Sequence, residues 1–387
     1  MTLQCKREAF LLSEEVHYLN CAYMSPLPTE VEEAGIRGVL RKREPTSLLP
    51  EDFFSGRDEV RRHFSRLIGV SEPNRIAIIP SASYGASIAA RNLPVNCGQN
   101  IVILHEQFPG NVYTWRKKAA DAGAELRTVV PASTVHRGSD WNERILESMD
   151  KDTAIISVPH VHWTDGTLFD LVAISQRAKE LGIALVVDGT QSVGALPFDV
   201  ATILPDVLIV AGYKWLLGPY SIGAAYFNSR FDEGVPLEET WIGRQGSQNF
   251  SGLVDYQELY QTGAIRYDVG ECSNFILLPM LAAALNLLET WTPQAIQAYC
   301  SNLTDKLVQE VTEFGFSAEE RPHRSGHLLG LTLPDKLSLD SLKKELERRR
   351  IFVSFRGDSL RVSPNVYNNQ EDIEALIEAL AFTVKGK

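Results

Sequence analysis

IALVVDGTQSVGA (residues 183–195) and DVLIVAGYKWLLGP (residues 206–219) are the two stretches that decide the fold of this chain. Each stretch contains an apolar run of strand length and then changes to small and polar residues. Asp188 ends the first run, and Lys214 lies just past the second. Because ligands in open α/β sheets bind outside the carboxyl ends of the strands, we expect both side chains to face one crevice.

These two residues suit a specific chemistry. Mostly apolar or small residues precede Lys214, so we expect its amine to be partly desolvated and available as a nucleophile toward a carbonyl. Asp188 offers a fixed negative charge that keeps a pyridinium nitrogen protonated, which makes pyridoxal 5′-phosphate (PLP) an electron sink. An isolated Asp at a strand end is more often a helix cap, and an isolated Lys is more often solvated. Their order and strand context together predict a PLP site.

The region around these stretches alternates strands and helices. From about Arg75 to Phe227, short apolar runs alternate with helical patterns. The candidate strands are RIAIIP, NIVILH, LRTVV, TAIISVP, IALVVDG, DVLIVAG and IGAAYF. Strands that are apolar nearly throughout indicate a mainly parallel sheet covered by helices on both faces. We therefore predict an α/β fold for this part of the chain.

The rest of the chain predicts a second domain. Residues 229–270 are rich in Gly, Gln and acidic residues and indicate a long irregular connection. Two helices follow, and then HLLGLTL, IFVSFRG and SLRVSP alternate with helical patterns as in a smaller α+β domain. We place a large α/β domain at 21–270 and the small C-terminal domain at 271–387. Residues 1–20 are expected to pack with the small domain.

Composition and charge limit the binding partners and the cellular location that we expect for this chain. The chain has 387 residues and a net charge of −11, so it is long enough for two packed domains and repels phosphate backbones. We therefore expect no nucleic-acid partner. The five cysteines are isolated and form no CxxC pair, which predicts neither a disulfide framework nor a zinc site. No segment has the pattern of a signal peptide or a membrane span, so a cytoplasmic location is expected.

The sequence resembles the class V aminotransferases of PLP fold type I, a group that includes cysteine desulfurases, kynureninases and isopenicillin-N-epimerase-like proteins. The resemblance runs from YLNCAYMSPLP to LRVSPNVYN, and DGTQSVGA and AGYKWLLGP are its most specific parts. It implies that Lys214 carries PLP as a Schiff base and that Asp188 contacts the pyridine nitrogen. It also implies a hydrogen bond from Gln191 toward the ring oxygen.

A phosphate cradle is expected in PSASYGAS. Ser81, Ala82 and Ser83 follow a strand and precede a helix, so their N–H groups lie at a helix N-terminus. A Ser-rich turn alone is more often only a cap, but the family places the PLP phosphate here. Tyr213 matches a position that often contacts the phosphate. Ala211 departs from the pattern, because many members carry a phosphate-binding Ser there.

Two aromatic residues are expected at the cofactor and substrate. Phe108 lies where the family stacks a ring on PLP, and its FPGN context most resembles the kynureninase-like and epimerase-like branches. Core packing is the other interpretation for Phe108. Trp163 lies near a position where many relatives have Asn, which suggests a different substrate face. His160 and His162 nearby are expected to be structural and not metal ligands.

Three further residues are expected to bind substrate or cofactor. Arg361, in SLRVSPNVYN, matches the Arg that the family uses for the substrate α-carboxylate, and a guanidinium binds carboxylates in a bidentate manner. Arg356 is either that clamp or a second anion contact. RYDVGECSNF resembles the stretch that reaches the neighbouring subunit's site, which implies a homodimer with Asn274 or Ser273 near the partner's PLP phosphate.

The resemblance leaves several reactions open. The leading interpretation is an aminotransferase acting on an amino acid, with Lys214 as the base that removes or returns the α-proton. A kynureninase-like lyase or an epimerase uses the same residues, and a non-catalytic PLP-binding protein is a further alternative. Cysteine desulfurases carry a nucleophilic Cys before the carboxylate-binding Arg, and VSFRGDSLRV has none. A desulfurase is therefore disfavoured.

Overall fold

The computed structural model describes residues 3–335, 337–357 and 359–385. Its strands are β1 (His17–Tyr18), β2 (Ile76–Ile79), β3 (Asn100–Leu104), β4 (Glu125–Val129), β5 (Thr153–Pro159), β6 (Ala184–Asp188), β7 (Val207–Ala211), β8 (Gly223–Phe227), β9 (Leu329–Thr332), β10 (Ile351–Phe352), β11 (Ser354–Arg356) and β12 (Ser359–Val362). Its helices are α1 (Thr29–Arg41), α2 (Asp52–Leu67), α3 (Ala82–Asn92), α4 (Tyr113–Ala122), α5 (Gly138–Ser148), α6 (Leu171–Leu181), α7 (Val200–Ile203), α8 (Leu277–Trp291), α9 (Pro293–Val311), α10 (Leu339–Arg348) and α11 (Gln370–Lys385).

The central sheet has the order β2-β8-β7-β6-β5-β3-β4. Strands β3 to β7 pair in parallel, and β8 runs antiparallel to both β7 and β2. Every residue of β3, β6 and β7 is buried, as expected for strands covered on both faces. Two apolar clusters lie against the sheet, one with α3 and α4 and the other with α2, α6 and α8. The predicted α/β fold with a mainly parallel sheet is confirmed.

The carboxyl ends of the central strands bring the chemistry-bearing residues together. Asp188 is the last residue of β6 and pairs with Pro159 of β5 and Ile209 of β7. Lys214 follows β7 by three residues. On the other side of β7, the chain passes from β2 into α3 at Ser81. One edge of the sheet thus carries an acid, an amine and a helix N-terminus.

A second, antiparallel sheet of order β11-β12-β9 belongs to the smaller C-terminal part. One of its faces is apolar and contributes to a core with α9, α10 and α11. The predicted strand IFVSFRG is divided, because β10 pairs with β1 and only β11 joins the sheet. This β1–β10 pair and a hydrogen bond between His17 and Asp372 (2.7 Å) attach the N-terminal segment to the C-terminal part of the chain.

Helix α8 connects the two parts of the molecule. It packs against α1 and α2, and its buried side chains share a cluster with the central sheet. Between β8 and α8 the described chain forms only short 3-10 turns, consistent with the irregular connection expected there. None of the helices within the described ranges is long and apolar enough to cross a bilayer. In the same part of the chain, no group of three or more His, Cys, Asp or Glu side chains is arranged to hold a metal ion.

Candidate active site

A cavity of about 300 Å³ lies at the carboxyl ends of β5, β6 and β7. Its size is that of a pocket for a small ligand or cofactor. Nine residues singled out from the sequence line it: Ser81, Ala82, Ser83, Phe108, Trp163, Asp188, Gln191, Tyr213 and Lys214. Residues that are distant in sequence therefore meet around one space.

Lys214 lines this cavity and is 6% exposed. Its Nζ is 5.3 Å from the ring centroid of Phe108 and 5.5 Å from that of Tyr213. Phe108 itself is 42% exposed, so its ring forms part of the cavity wall and is not core packing. A planar group bonded to Nζ would lie beside this aromatic face.

Burial is the main cause of the unusual acidity of Lys214. Desolvation lowers the pKa of its ammonium group to about 8. Asp188 opposes this effect, whereas the positive charges of Arg361 and Arg356 add to it. The pKa of the Asp188 carboxyl is raised, again chiefly by burial, although hydrogen bonds from Thr190 and the charge of Lys214 act in the other direction. A buried amine with a large neutral fraction near pH 8 is suited to nucleophilic attack.

The lowered pKa of Lys214 makes a prediction for the cofactor-free protein. We expect the rate of Lys214 acetylation by acetic anhydride to rise with pH around a midpoint near 8, because the neutral amine is the reactive form. Exposed lysines have a pKa of about 10.4. Competitive labelling with peptide mass spectrometry measures the midpoints of Lys214 and of the exposed lysines in one sample. A midpoint for Lys214 equal to that of the exposed lysines would contradict its desolvation.

The carboxylate and the amide beside Lys214 are held by neighbouring groups. Asp188 Oδ1 accepts a hydrogen bond from the Thr190 N–H (3.0 Å). The Gln191 side chain donates to the Ala22 carbonyl (3.2 Å) and accepts from the Trp215 indole N–H (2.8 Å). A primary amide carries two N–H donors, so one remains for a ligand. The side chain of Gln191 is therefore fixed while still able to donate into the cavity.

The N-terminus of α3 forms another wall. Ser81 is the N-cap, and its hydroxyl accepts a hydrogen bond from the Tyr84 N–H (3.2 Å). The first-turn N–H groups of Ala82 and Ser83 have no acceptor within the helix and lie at its positive end. This arrangement suits a phosphate group.

The sequence analysis did not identify Ser221, whose side chain carries a hydroxyl and which also lines the cavity. Ser221 lines the same cavity as Ala211 and lies two residues before Gly223, which pairs with Ala211 in the sheet. Its φ of 66° is in the left-handed region that few non-glycine residues adopt. The sequence carries no local signal for Ser221, because only the pairing of β7 with β8 brings it to the cavity.

Trp163 links the cavity to the small domain. Its ring is edge-on to Phe108 at 5.4 Å between centroids, and its indole N–H donates to the Glu106 carbonyl (2.7 Å). Arg361 Nη1 donates to the Trp163 carbonyl (2.8 Å), and the Arg356 guanidinium lies 5.4 Å from the Trp163 ring centroid. Both arginines thus adjoin the cavity without being among the residues that line it.

The structure also places the two histidines and Asn274 that the sequence analysis named. His162 is fully buried, and its Nδ1 lies 2.7 Å from the Thr164 hydroxyl. His160 is also buried, but its Nδ1 has no hydrogen-bond partner among the described residues.

Asn274 does not line the Lys214 cavity of its own chain. It accepts hydrogen bonds from the N–H groups of Ile276 and Leu277 at the start of α8, and it borders a separate cavity of about 490 Å³.

The residues present fit PLP on structural grounds. The cavity combines a buried amine of lowered pKa, a buried carboxyl of raised pKa and an exposed aromatic ring. A helix N-terminus with unused amides completes the set. The fold and this set define the class of PLP-dependent enzymes, and PLP is the cofactor.

More particularly, the chain belongs to the aminotransferase class-V family, whose sequence model matches residues 43–376. An uncharacterized aminotransferase of Bacillus subtilis (strain 168) is 26% identical over 322 residues, 83% of this chain and 82% of that protein. The isopenicillin N epimerase of Streptomyces clavuligerus is 26% identical over 387 residues, 97% of this chain and 96% of the epimerase.

Solved structures share the fold. A mutant of the enzyme C-DES, with glycine covalently linked to its PLP cofactor, has a TM-score of 0.86 at 20% identity and covers 97% of this chain and 99% of its own. The cysteine desulfurase of Thermococcus onnurineus NA1 has a TM-score of 0.84 at 21% identity, with full coverage of both chains. At these identities the likeness establishes the fold and not the reaction.

Proposed function

We propose that this protein is an aminotransferase that takes the amino group from an amino acid and gives it to a 2-oxo acid. The observation that carries the proposal is the buried amine of Lys214, which shares one cavity with Asp188 and lies close to the buried guanidinium of Arg361. Amino transfer needs a nucleophile that can also carry a proton, a counter-charge for the cofactor and an anchor for a carboxylate. These three residues supply those functions.

The roles follow from the environment of each residue. When bound, PLP supplies the electron sink. Lys214, with its amine partly neutral near pH 8, attaches the cofactor and afterwards moves a proton from the substrate α-carbon. Asp188 would hold a protonated ring nitrogen of the cofactor, and the amides of Ala82 and Ser83 would hold its phosphate. Phe108, whose ring centroid is 5.3 Å from Lys214 Nζ, would lie beside the cofactor ring.

Arg361 is proposed to hold the α-carboxylate. Its side chain is 1% exposed, and burial together with the charge of Arg356 lowers its pKa to about 9. One nitrogen bonds the Trp163 carbonyl, but its Nε has no partner and no described carboxylate forms an ion pair with it. A buried guanidinium without a counter-ion is costly, so binding an anion there is strongly favoured.

Epimerisation is the second candidate reaction. It is supported by the alignment with isopenicillin N epimerase over 97% of this chain. Persulfide-forming desulfurase chemistry is not supported by the described residues. Cys21, the cysteine beside Lys214, is buried, and burial raises the pKa of its thiol to about 12. Such a thiol is a poor nucleophile.

We further infer a homodimer. The outer face of α1 exposes Ile36, Val39 and Leu40, and Ile276 is exposed beside it. An apolar surface of this kind is typical of an interface. Asn274 borders the same surface, so dimerisation is the proposed route by which it reaches a site in the partner.

Product analysis tests the proposed reaction. The PLP-loaded protein is incubated with each L-amino acid and with pyruvate or 2-oxoglutarate as acceptor, and the products are identified by chiral chromatography with mass spectrometry. We expect a 2-oxo acid from the donor and an equal amount of new amino acid from the acceptor. Inverted donor without acceptor use would show an epimerase, and ammonia release without amino transfer would show a lyase; either result rejects the aminotransferase.

A further inference from the structure

Two guanidinium groups adjoin the site, and one α-carboxylate needs only one of them. We propose that Arg356 binds a second anionic group on the substrate, so that the enzyme selects amino acids with a side-chain carboxylate. This inference rests on the proposed amino-acid substrate, but it names a different residue and a narrower class of ligand. The anionic group is identified by its chemistry, a carboxylate in fork-to-fork contact with a guanidinium.

The register of the small sheet places both arginines on one face. Ser354 pairs with Arg361, and Arg356 pairs with Ser359. Directly paired residues of antiparallel strands point to the same side. The intervening pair, Phe355 with Leu360, points to the opposite side and packs in or against the small-domain core. One face of β11 and β12 is therefore apolar, and the other presents two cations.

Within the described parts of the chain, the contacts of Arg356 provide no counter-ion for its charge. Its guanidinium lies over the Trp163 ring, and Nη1 donates to the Phe355 carbonyl (2.7 Å). Its Nε is buried and has no partner among the described residues. Stacking on an aromatic ring holds the guanidinium plane in place without neutralising it.

Four further arginines of this protein are buried like Arg361, but their charges are paired. Each has a described carboxylate within ion-pair distance: Arg57, Arg61, Arg137 and Arg324. Arg356 and Arg361 form no ion pair with any described residue, although each lowers the pKa of Lys214 by its charge. Two guanidinium charges thus lie beside the site without a described carboxylate to balance them. A substrate with two carboxylates would correct this imbalance, whereas a monocarboxylate would correct only half.

The phosphate of the cofactor does not account for Arg356. The helix N-terminus that suits a phosphate is formed by α3, and Ser81 to Ser83 line the cavity. Arg356 is not among the lining residues and meets the site through Trp163, on the side of the small domain. Arg356 and the phosphate cradle therefore belong to different parts of the site.

Binding of substrate-like acids without an amino group tests the inference apart from catalysis. Isothermal titration calorimetry is carried out on the PLP-loaded protein in the oligomeric state in which it purifies. It compares the affinity for glutarate with that for valerate, which has the same number of carbons but only one carboxylate. A charge-assisted hydrogen bond predicts that glutarate binds roughly 10–100-fold more tightly. Arg356→Gln is expected to bring the two affinities within about twofold, and Arg356→Lys to retain part of the difference.

The variants separate the roles of the two arginines. Arg361→Gln is expected to weaken both acids, because both use the α-carboxylate anchor. Lys343→Gln removes a cation that lies over Phe355 on the apolar side of the same sheet, and it is expected to leave both affinities unchanged. If Arg356→Gln leaves the glutarate preference intact, the second anion site is refuted.

Turnover then distinguishes this inference from the proposed function. Aspartate, glutamate and 2-aminoadipate are compared with asparagine, glutamine and norleucine in the amino-transfer assay. A preference of at least tenfold in kcat/KM for an acidic donor, lost in Arg356→Gln, supports both conclusions. Amino transfer without acidic preference overturns the inference alone. Glutarate binding that depends on Arg356, without amino transfer from any donor, supports the anion site and rejects the aminotransferase.

Discussion

Lys214→Ala is expected to lower kcat/KM by about 10²–10⁴-fold, the range that a positioned acid–base group contributes. The reason is that Lys214 is the amine with a lowered pKa in the cavity, and the proposed reaction uses it both to attach the cofactor and to move the α-proton. Asp188, the helix N-terminus of α3 and Arg361 remain in the variant. We therefore expect substrate and cofactor still to bind, with the loss mainly in kcat.

Covalent trapping checks the same residue independently of turnover. Borohydride reduction of the PLP-loaded protein, followed by intact-mass and peptide analysis, is expected to fix one cofactor on Lys214 in wild type and none in the variant. Lys214→Arg is the matched control, because it retains a cation of similar length but not a nucleophilic amine. A trapped cofactor on another lysine, or full turnover by either variant, would contradict the assignment.

Local sequence patterns were sufficient to predict the sheet. All seven strands of the central sheet were expected from apolar runs; six are buried at nearly every residue, which gives a continuous hydrophobic signal, and only the edge strand β4 is largely uncovered. Helix α1 was not expected, since Gly35 and Gly38 weaken its helical pattern. The structure explains Gly38: a Cβ there would lie 2.2 Å from the Phe275 carbonyl oxygen of the segment leading into α8. The close packing of α1 against the segment that leads into α8 therefore needs glycine, and glycine weakens the helical pattern in the sequence.

The candidate site was partly predictable for the same reason. Asp188 and Lys214 follow strands that the pattern locates, so their meeting follows from the rule for strand ends. The contact of Arg361 with Trp163 spans 198 positions and depends on how the small sheet packs on the large domain. Similarly, His327 bonds the Gln191 carbonyl (2.7 Å) from the segment before β9. No local pattern encodes such contacts, and only the folded chain reveals them.

Asp268 is a buried carboxylate whose loss should cost several kcal/mol of stability, about the amount expected for a broken buried ion pair. It is 2% exposed and forms ion pairs with both Arg57 and Arg61, which are equally buried on α2. Its Oδ1 also accepts a hydrogen bond from the Ile78 N–H of β2 (2.8 Å), and Arg61 Nε donates to the Ile76 carbonyl (2.9 Å). One carboxylate therefore joins α2 to the strand that leads into the proposed phosphate cradle.

Asp268→Ala is expected to reduce the free energy of unfolding by about 3–5 kcal/mol, because two buried guanidinium groups lose the carboxylate they share. The midpoint of urea unfolding, followed by circular dichroism on the cofactor-free protein, measures the effect. Asp121→Ala is the control: it breaks an ion pair with Lys117 (2.8 Å) in which both side chains are exposed, so about 0–1 kcal/mol is expected. Equal shifts in the two variants would show that Asp268 does not hold α2 against β2. A large shift for Asp268→Ala alone, accompanied by weaker PLP binding, would show that the phosphate cradle depends on this buried carboxylate for its position.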